Sequence, residues 1–491
     1  MPKSPKSSKK SAMVQRKFRR NLAAIALTAL VIKIFIIFRI QGFDWYQAGD
    51  GDLGTGLGIL LDNNYAPPNA WYGADGENYI RGLQGLVEEG FYSREEKLSY
   101  WPAGYPLLMW PIMELFRGYF FLVLAILQSS LYAFASIWFV DEMRRTRIPK
   151  ISYLLALLLA LNPTLALNTI AIGYELPVVS LSLISTSALL RYFLDGKNCW
   201  FCKEVFLASL AFAFATFMQP RLFVIAVSFF FLWAISKFKL IYIAPFIAVT
   251  LGLVSAAPGI LALRNKEAQG YMAISTNLGV TMRLGAGPEA TGGYSNQGAG
   301  TVNCPEIKGN ASEVDRATVN CVIDWYLQNP IRALELFWNK ARFFWSPWFG
   351  PEANGTMARN PWSQNHPLRS LIQTEDGSSL IFGGFGKLIS WMWMIYGLVV
   401  LYFGFLFLWR LGDLERLLAL IAGSTFAINL VSSILTIGDH RFRIPSMGMS
   451  ILLQVVGILG ISLPKSIIRT RPFARVPWSV IARGKSKQEN P

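Results

Sequence analysis

Histidine and cysteine are nearly missing from this chain: two of the first and four of the second in 491 residues. That shortage bears on metal chemistry. Cys199 and Cys202 form a C-x-x-C, but a zinc site needs two more ligands. The only histidines, His366 and His440, lie beyond other hydrophobic runs, so the pair reads as two ordinary thiols. Cys304 and Cys321 share one hydrophilic segment and are free to pair in an oxidising compartment. Charge is also scarce, at 15% of residues where a soluble chain carries about a quarter. An ordinary soluble domain is therefore excluded. Acidic residues number 30 against 46 basic ones. The distribution of that excess argues against nucleic acid as a partner, because it gathers in two tails and a few short links.

What the chain has instead is long apolar runs. A membrane span takes about 20 apolar residues. The runs at about 21–40, 117–140, 150–168, 176–194, 204–220, 222–237, 240–262, 387–409, 415–436 and 445–463 are the candidates. The expected architecture is therefore all-α: a polytopic membrane protein of about ten transmembrane helices, spanning 21–463 between basic tails at 1–20 and 464–491. The first run is too long for a cleavable signal, and no small-residue cleavage pattern follows it. Lys and Arg crowd both tails and the links holding Arg144, Arg145, Arg147, Lys150, Lys197, Lys203, Lys237 and Lys239. The positive-inside rule then places both termini in the cytoplasm of a plasma (inner) membrane. The basic tails rest on anionic membrane lipid. Residues of about 41–116 and 263–386 fall on the outer face.

Those outer segments are patterned. Tyr79, Leu83, Leu86 and Val87 share a helical stripe, as do Ile331, Leu334, Trp338, Ala341 and Trp345. Both predict amphipathic helices in the interface plane, roofing a cavity. Pro106–Phe116 is too short to span and belongs to the same surface.

Ionisable groups held at a membrane face usually bind charge or do chemistry. Asp75, in Asp75–Gly–Glu–Asn–Tyr79, stands where a helix begins, so it serves equally as an N-cap and as a reactive carboxylate. Glu77 fits a first-turn acid. Asp50–Gly51–Asp52 has the D-x-D form of a metal–diphosphate site, but its glycine-rich setting favours a turn. Glu175 opens a later span from the outer side. Arg441 and Arg443 lie outside, against the charge bias, with Arg221, Arg264 and Lys340 as further outer cations. Arginine forks match phosphate oxygens. Cations beside carboxylates at that depth suit an anionic ligand with a lipid tail.

Five landmarks occur in order: Asp75-x-x-x-Tyr79; Pro102–Ala–Gly–Tyr105–Pro–Leu–Leu; Asn162–Pro163 with Tyr174–Glu175; Arg264–Asn265 with Ile274–Ser–Thr–Asn277–Leu–Gly279; and Gly438–Asp–His–Arg–Phe–Arg–Ile–Pro445. The ordered set resembles the GT-C class of polyprenyl-phosphate-sugar-dependent glycosyltransferases, nearest the bacterial mannosyltransferase and aminoarabinose-transferase-like family. The resemblance covers most of residues 20–463. It implies a catalytic base at Asp75, a second acid at Glu175, and the family's arginine-bearing motif at Arg441 and Arg443; with Arg221 or Arg264 added from the outer cations, these would clamp the donor phosphate. It further implies a sugar carried on a polyprenyl phosphate and passed, with inversion, to a glycan, lipid or protein hydroxyl outside the membrane. Tyr100–Trp101 replaces the family's Glu-Lys before the proline, and Gly76 replaces a second acid. The metal is left open, with a divalent ion admitted. A rival reading is a transporter or flippase of lipid-linked glycans, which would show polar or broken helices along a central path. A third is a scaffold without catalysis.

Overall fold

The structure is a computed structural model, which describes residues 16, 18–32, 74–116, 120–169, 172–197, 199, 202–237, 240–293, 300–346 and 384–462. The Asp50–Asp52 turn, His366, most of the basic tail at 1–20, all of that at 464–491, and the Asp75 and Glu77 side chains lie outside the described residues. Every regular element among the described residues is helical. In chain order these are α1 (18–32), α2 (Ala74–Glu89), α3 (Lys97–Tyr100), α4 (Gly104–Phe116), α5 (Phe120–Met143), α6 (Ser152–Leu161), α7 (Pro163–Asn168), α8 (Glu175–Leu194) and α9 (Lys203–Met218). There follow α10 (Leu222–Lys237), α11 (Leu240–Gln269), α12 (Leu278–Leu284), α13 (Ala311–Gln328), α14 (Pro330–Trp345), α15 (Gly384–Leu411), α16 (Asp413–Leu435) and α17 (Met447–Ser462). A 3-10 turn, His440–Ser446, leads into α17.

Six of the described helices are long and apolar enough to cross a membrane: Val123–Met143, Glu175–Leu194, Ile241–Gln269, Trp391–Leu411, Asp413–Leu435 and His440–Gly460. The chain is a multi-pass membrane protein. Six of the ten expected spans are met in this way among the described residues, and the other four are shorter, interrupted or only partly described. The run at 150–168 is cut at Asn162–Pro163, where Asn162 takes ψ 117° because a residue before proline avoids the helical region. Asn162 Oδ1 then accepts from the Leu165 N–H at 3.1 Å and starts a second, shorter helix. Helices α9 and α10 have 16 residues each, which at a rise of about 1.5 Å per residue reaches less than the roughly 30 Å core. The first expected span is described only as far as residue 32.

Close approach in the bundle depends on glycine. A Cβ at Gly404 on α15 would overlap the Leu453 carbonyl of α17, and one at Gly457 would overlap the Val400 carbonyl of α15. The two backbones touch there, the usual result of small residues at a membrane-helix interface. A Cβ at Gly104 would likewise strike the Phe217 carbonyl at the end of α9.

The bundle has two chemically distinct ends. At one end, acids and bases pair: Glu142 with Arg145 at 2.8 Å and Arg191 at 2.6 Å, Lys197 with Glu204 at 2.6 Å, Arg19 with Asp141 at 2.8 Å, and Arg145 with Asp195. This end gathers the basic links seen in the sequence. The opposite end carries α2 to α4, α12 to α14 and the His440–Ser446 turn. The two amphipathic stripes behave differently there. Tyr79, Leu83 and Leu86 are fully buried in the protein, so α2 packs on its neighbours and not on a lipid surface. Ile331, Leu334 and Trp338 are 85%, 67% and 72% exposed, as an interfacial helix requires. Trp345 departs from that stripe: it is buried, and its indole donates to the Met394 carbonyl of α15 at 2.9 Å.

Candidate functional site

Helix α8 starts at Glu175, and its start is held from outside. The Tyr105 hydroxyl accepts from the Gly173 N–H at 3.0 Å and donates to Gln128 at 3.2 Å. Pro177 falls in the first turn of α8, where a missing N–H costs no helical bond. The carboxylate of Glu175 thus sits at a helix N-terminus, which favours negative charge. It is 1% exposed.

Its partner comes from the turn before α17. Asp439 caps that turn, with Oδ1 accepting from the Arg441 N–H at 2.8 Å, and His440 Nδ1 lies 3.5 Å from the same oxygen. The cap fixes where Arg441 leaves the backbone. Arg441 Nε then lies 3.4 Å from Glu175 Oε1, with both side chains buried. Neither charge could be kept at that depth alone.

Arg221, in the link between α9 and α10, completes the group. Its Nη2 donates to the Tyr174 hydroxyl at 3.3 Å, and Gln219 Nε2 donates to the same oxygen at 2.9 Å. Its guanidinium lies 4.2 Å from the centre of the Phe442 ring, which Arg441 also approaches at 5.6 Å. The Arg221 Nε is buried and finds no partner among the described residues. The Tyr174 ring meets Tyr79 edge-on at 6.4 Å, and Tyr79 meets Tyr105 at 5.2 Å and Trp101 at 6.5 Å. Four landmarks far apart in sequence therefore converge on one place.

Asp75 is the second residue of α2, whose helical residues begin at Ala74. It belongs to the first turn and not to the cap position. It lies one turn before Tyr79 on the same helical face, by the i, i+4 relation.

Two of the expected cations are elsewhere. Arg264 donates to the carbonyls of Phe91 at 3.0 Å, Leu98 at 3.3 Å and Ser93, and to Asn265 Oδ1 at 2.7 Å. Those bonds tie α11 to the 91–98 loop, which delivers Trp101 and Tyr105. Arg443 donates to the Phe344 and Ser346 carbonyls at 3.3 and 3.2 Å and faces the Trp345 ring. Both anchor backbone and neither joins Glu175. Lys340 is fully buried on α14 and donates to Tyr326 Oη and the Thr436 carbonyl, each at 2.7 Å. Burial pulls its pKa down to about 7. It holds the strand of chain that leads to Asp439.

Tyr174, Tyr105 and Gln219 escaped the sequence reading as site members. The adjacent Tyr174–Glu175 and Gln219–Pro220–Arg221 strings were the available signal. Among the described residues, no three His, Cys, Asp or Glu side chains converge as a metal group would.

No family model matches the chain, and no curated protein matches it. Among solved structures, it is similar to an archaeal oligosaccharyltransferase from Archaeoglobus fulgidus, solved with an inhibitory peptide and a dolichol-phosphate. The TM-score is 0.43 and the identity 13%, over 93% of this chain and 53% of that one. The chain thus spans about half the length of that protein.

Proposed function

We propose that this protein is an inverting membrane glycosyltransferase that takes its sugar from a polyprenyl-phosphate carrier at the outer face. The observation that carries the reading is the buried Glu175–Arg441 pair with Arg221 beside it; the Arg221 Nε lacks a partner among the described residues. A buried donor left unpaired costs stability unless something else accepts from it. A phosphate oxygen is such an acceptor, and an arginine pair suits it in charge and geometry.

In this reading, Asp75 takes the proton from the acceptor hydroxyl as that oxygen attacks the anomeric carbon. The C–O bond to the phosphate breaks in the same step, and the configuration inverts. Arg441 and Arg221 stabilise the charge that collects on the departing phosphate. Glu175 acts through Arg441 as a positioning residue. Arg264 and Arg443, expected from the sequence to touch the donor, instead hold the walls.

The test is sugar transfer by the purified, reconstituted protein. Labelled sugar on polyprenyl phosphate should appear on an added envelope-glycan or lipid acceptor. Movement of intact lipid-linked sugar across the vesicle, with no transfer, would replace this reading with the transporter one.

A further inference from the structure

Along α5 toward the ion-paired end, a largely apolar crevice runs between α1, α5 and α6, lined by Leu22, Ala26, Ala133, Val140 and Ala156, with Ser129, Tyr132 and Ser136 also on its wall. Small side chains make the room: alanine stands at 26, 29, 133, 156 and 160. One helical turn beyond Leu22, Val140 and Ala156 come Phe18, Arg144 and Tyr153. Phe18 lies edge-on to Tyr153 at 5.0 Å, and the Arg144 guanidinium sits 4.4 Å from the Phe18 ring centre. Arg144 Nη1 is buried and has no hydrogen-bond partner among the described residues.

The nearby acids do not answer that donor. Asp141 is taken by Arg19, and Glu142 by Arg145 and Arg191. A permanently charged guanidinium with an N–H unmet among the described residues thus stands one helical turn beyond the lining of the slot, over the Phe18 ring. Buried orphan donors in native proteins call for an acceptor, and basic pockets between membrane helices recognise lipid headgroups.

We propose that this crevice holds an anionic glycerophospholipid from the adjoining leaflet. One acyl chain lies along the alanine-lined slot, and the phosphate accepts from Arg144. The inference rests on the multi-pass membrane reading and not on glycosyl transfer.

The test is native mass spectrometry of the full protein in detergent, titrated with phosphatidylglycerol, phosphatidylcholine and a polyprenyl phosphate. Phosphatidylglycerol should be retained about tenfold better than phosphatidylcholine, the scale of one charge-assisted contact. Arg144→Gln should erase that preference. Ala133→Phe, which fills the slot and leaves Arg144 in place, should weaken both glycerolipids. Equal retention of the two by the wild type would overturn the site without recourse to any variant. Undiminished phosphatidylglycerol binding in folded Ala133→Phe would overturn the slot. Preferential retention of the polyprenyl phosphate would overturn the occupant.

Discussion

Asp75→Asn tests the chemistry with the least disturbance, since the change removes a base but keeps a small polar residue in the first turn of α2. Transfer should fall by at least 10²-fold, the lower end of what general-base catalysis supplies, with protein abundance unchanged. Full turnover by the folded variant would leave Asp75 a first-turn acid and nothing more. The arginines separate by role. Arg441 pairs with Glu175, so Arg441→Ala should weaken donor use about tenfold or more. Arg441→Lys should recover only part of that, because a point charge cannot copy a fork. Arg443 spends its donors on the Phe344 and Ser346 carbonyls, so Arg443→Lys should lower the melting temperature and leave donor KM alone. Transfer rate against donor concentration for the three variants distinguishes clamp from anchor. Lys340 supplies a pH signature. Its folded pKa of about 7 lies below the ordinary 10.5, so the unfolded chain binds more protons across that window, and stability rises with pH. The penalty for burying its charge is full below pH 7 and is relieved as pH climbs toward 10.5. The melting temperature should rise between pH 6.5 and about 9.5, and Lys340→Met should flatten that slope.

Between helices, backbone contact decides what is tolerated. Gly457→Leu would drive a side chain into the Val400 carbonyl, with no flexible neighbour to yield. We expect a loss on the order of 1–3 kcal/mol, the usual cost of overpacking, read as a lower melting temperature in detergent. Gly252→Ala on α11 is the control, since nothing lies within 4 Å of a Cβ there; it should be neutral or slightly stabilising. The same physics explains which elements were legible beforehand. Spans such as 175–194 and 413–435 announced themselves by apolar length alone. The 150–168 run looked equally apolar, and only the local effect of Pro163 on Asn162 cut it. The α2 stripe and the α14 stripe have the same helical spacing, but periodicity cannot say whether an apolar face meets protein or lipid, and the two differ in that respect. Glu175 was legible as a carboxylate opening a span from the outer side, and Arg441 as a cation outside, against the positive-inside bias. Tyr174 and Tyr105 were not, because a tyrosine near a membrane face is ordinary until its hydroxyl partners are known.

Orientation across the membrane governs the whole functional reading, because a polyprenyl-phosphate donor is needed only where nucleotide sugars are absent. The chain carries its own reporters. Cys304 and Cys321 are disulfide-bonded, with Cα atoms 5.9 Å apart, and join the segment after residue 300 to α13, in the region of α12 to α14. Closing a 17-residue separation stabilises that region by about 3 kcal/mol in the chain-entropy model, and such bonds persist in oxidising compartments. Cys199 and Cys202 are free thiols in the link between α8 and α9, at the ion-paired end. Intact cells treated with a membrane-impermeant maleimide should therefore show no labelled cysteine. After an impermeant reductant, Cys304 and Cys321 should label, while Cys199 and Cys202 should remain silent until the membrane is opened. Labelling of Cys199 and Cys202 in unopened cells, with Cys304 and Cys321 protected, would put Glu175, Arg441 and Arg221 on the nucleotide-bearing side. The lipid-linked donor would then lose its rationale, even though the arrangement of charges around Glu175 would stand.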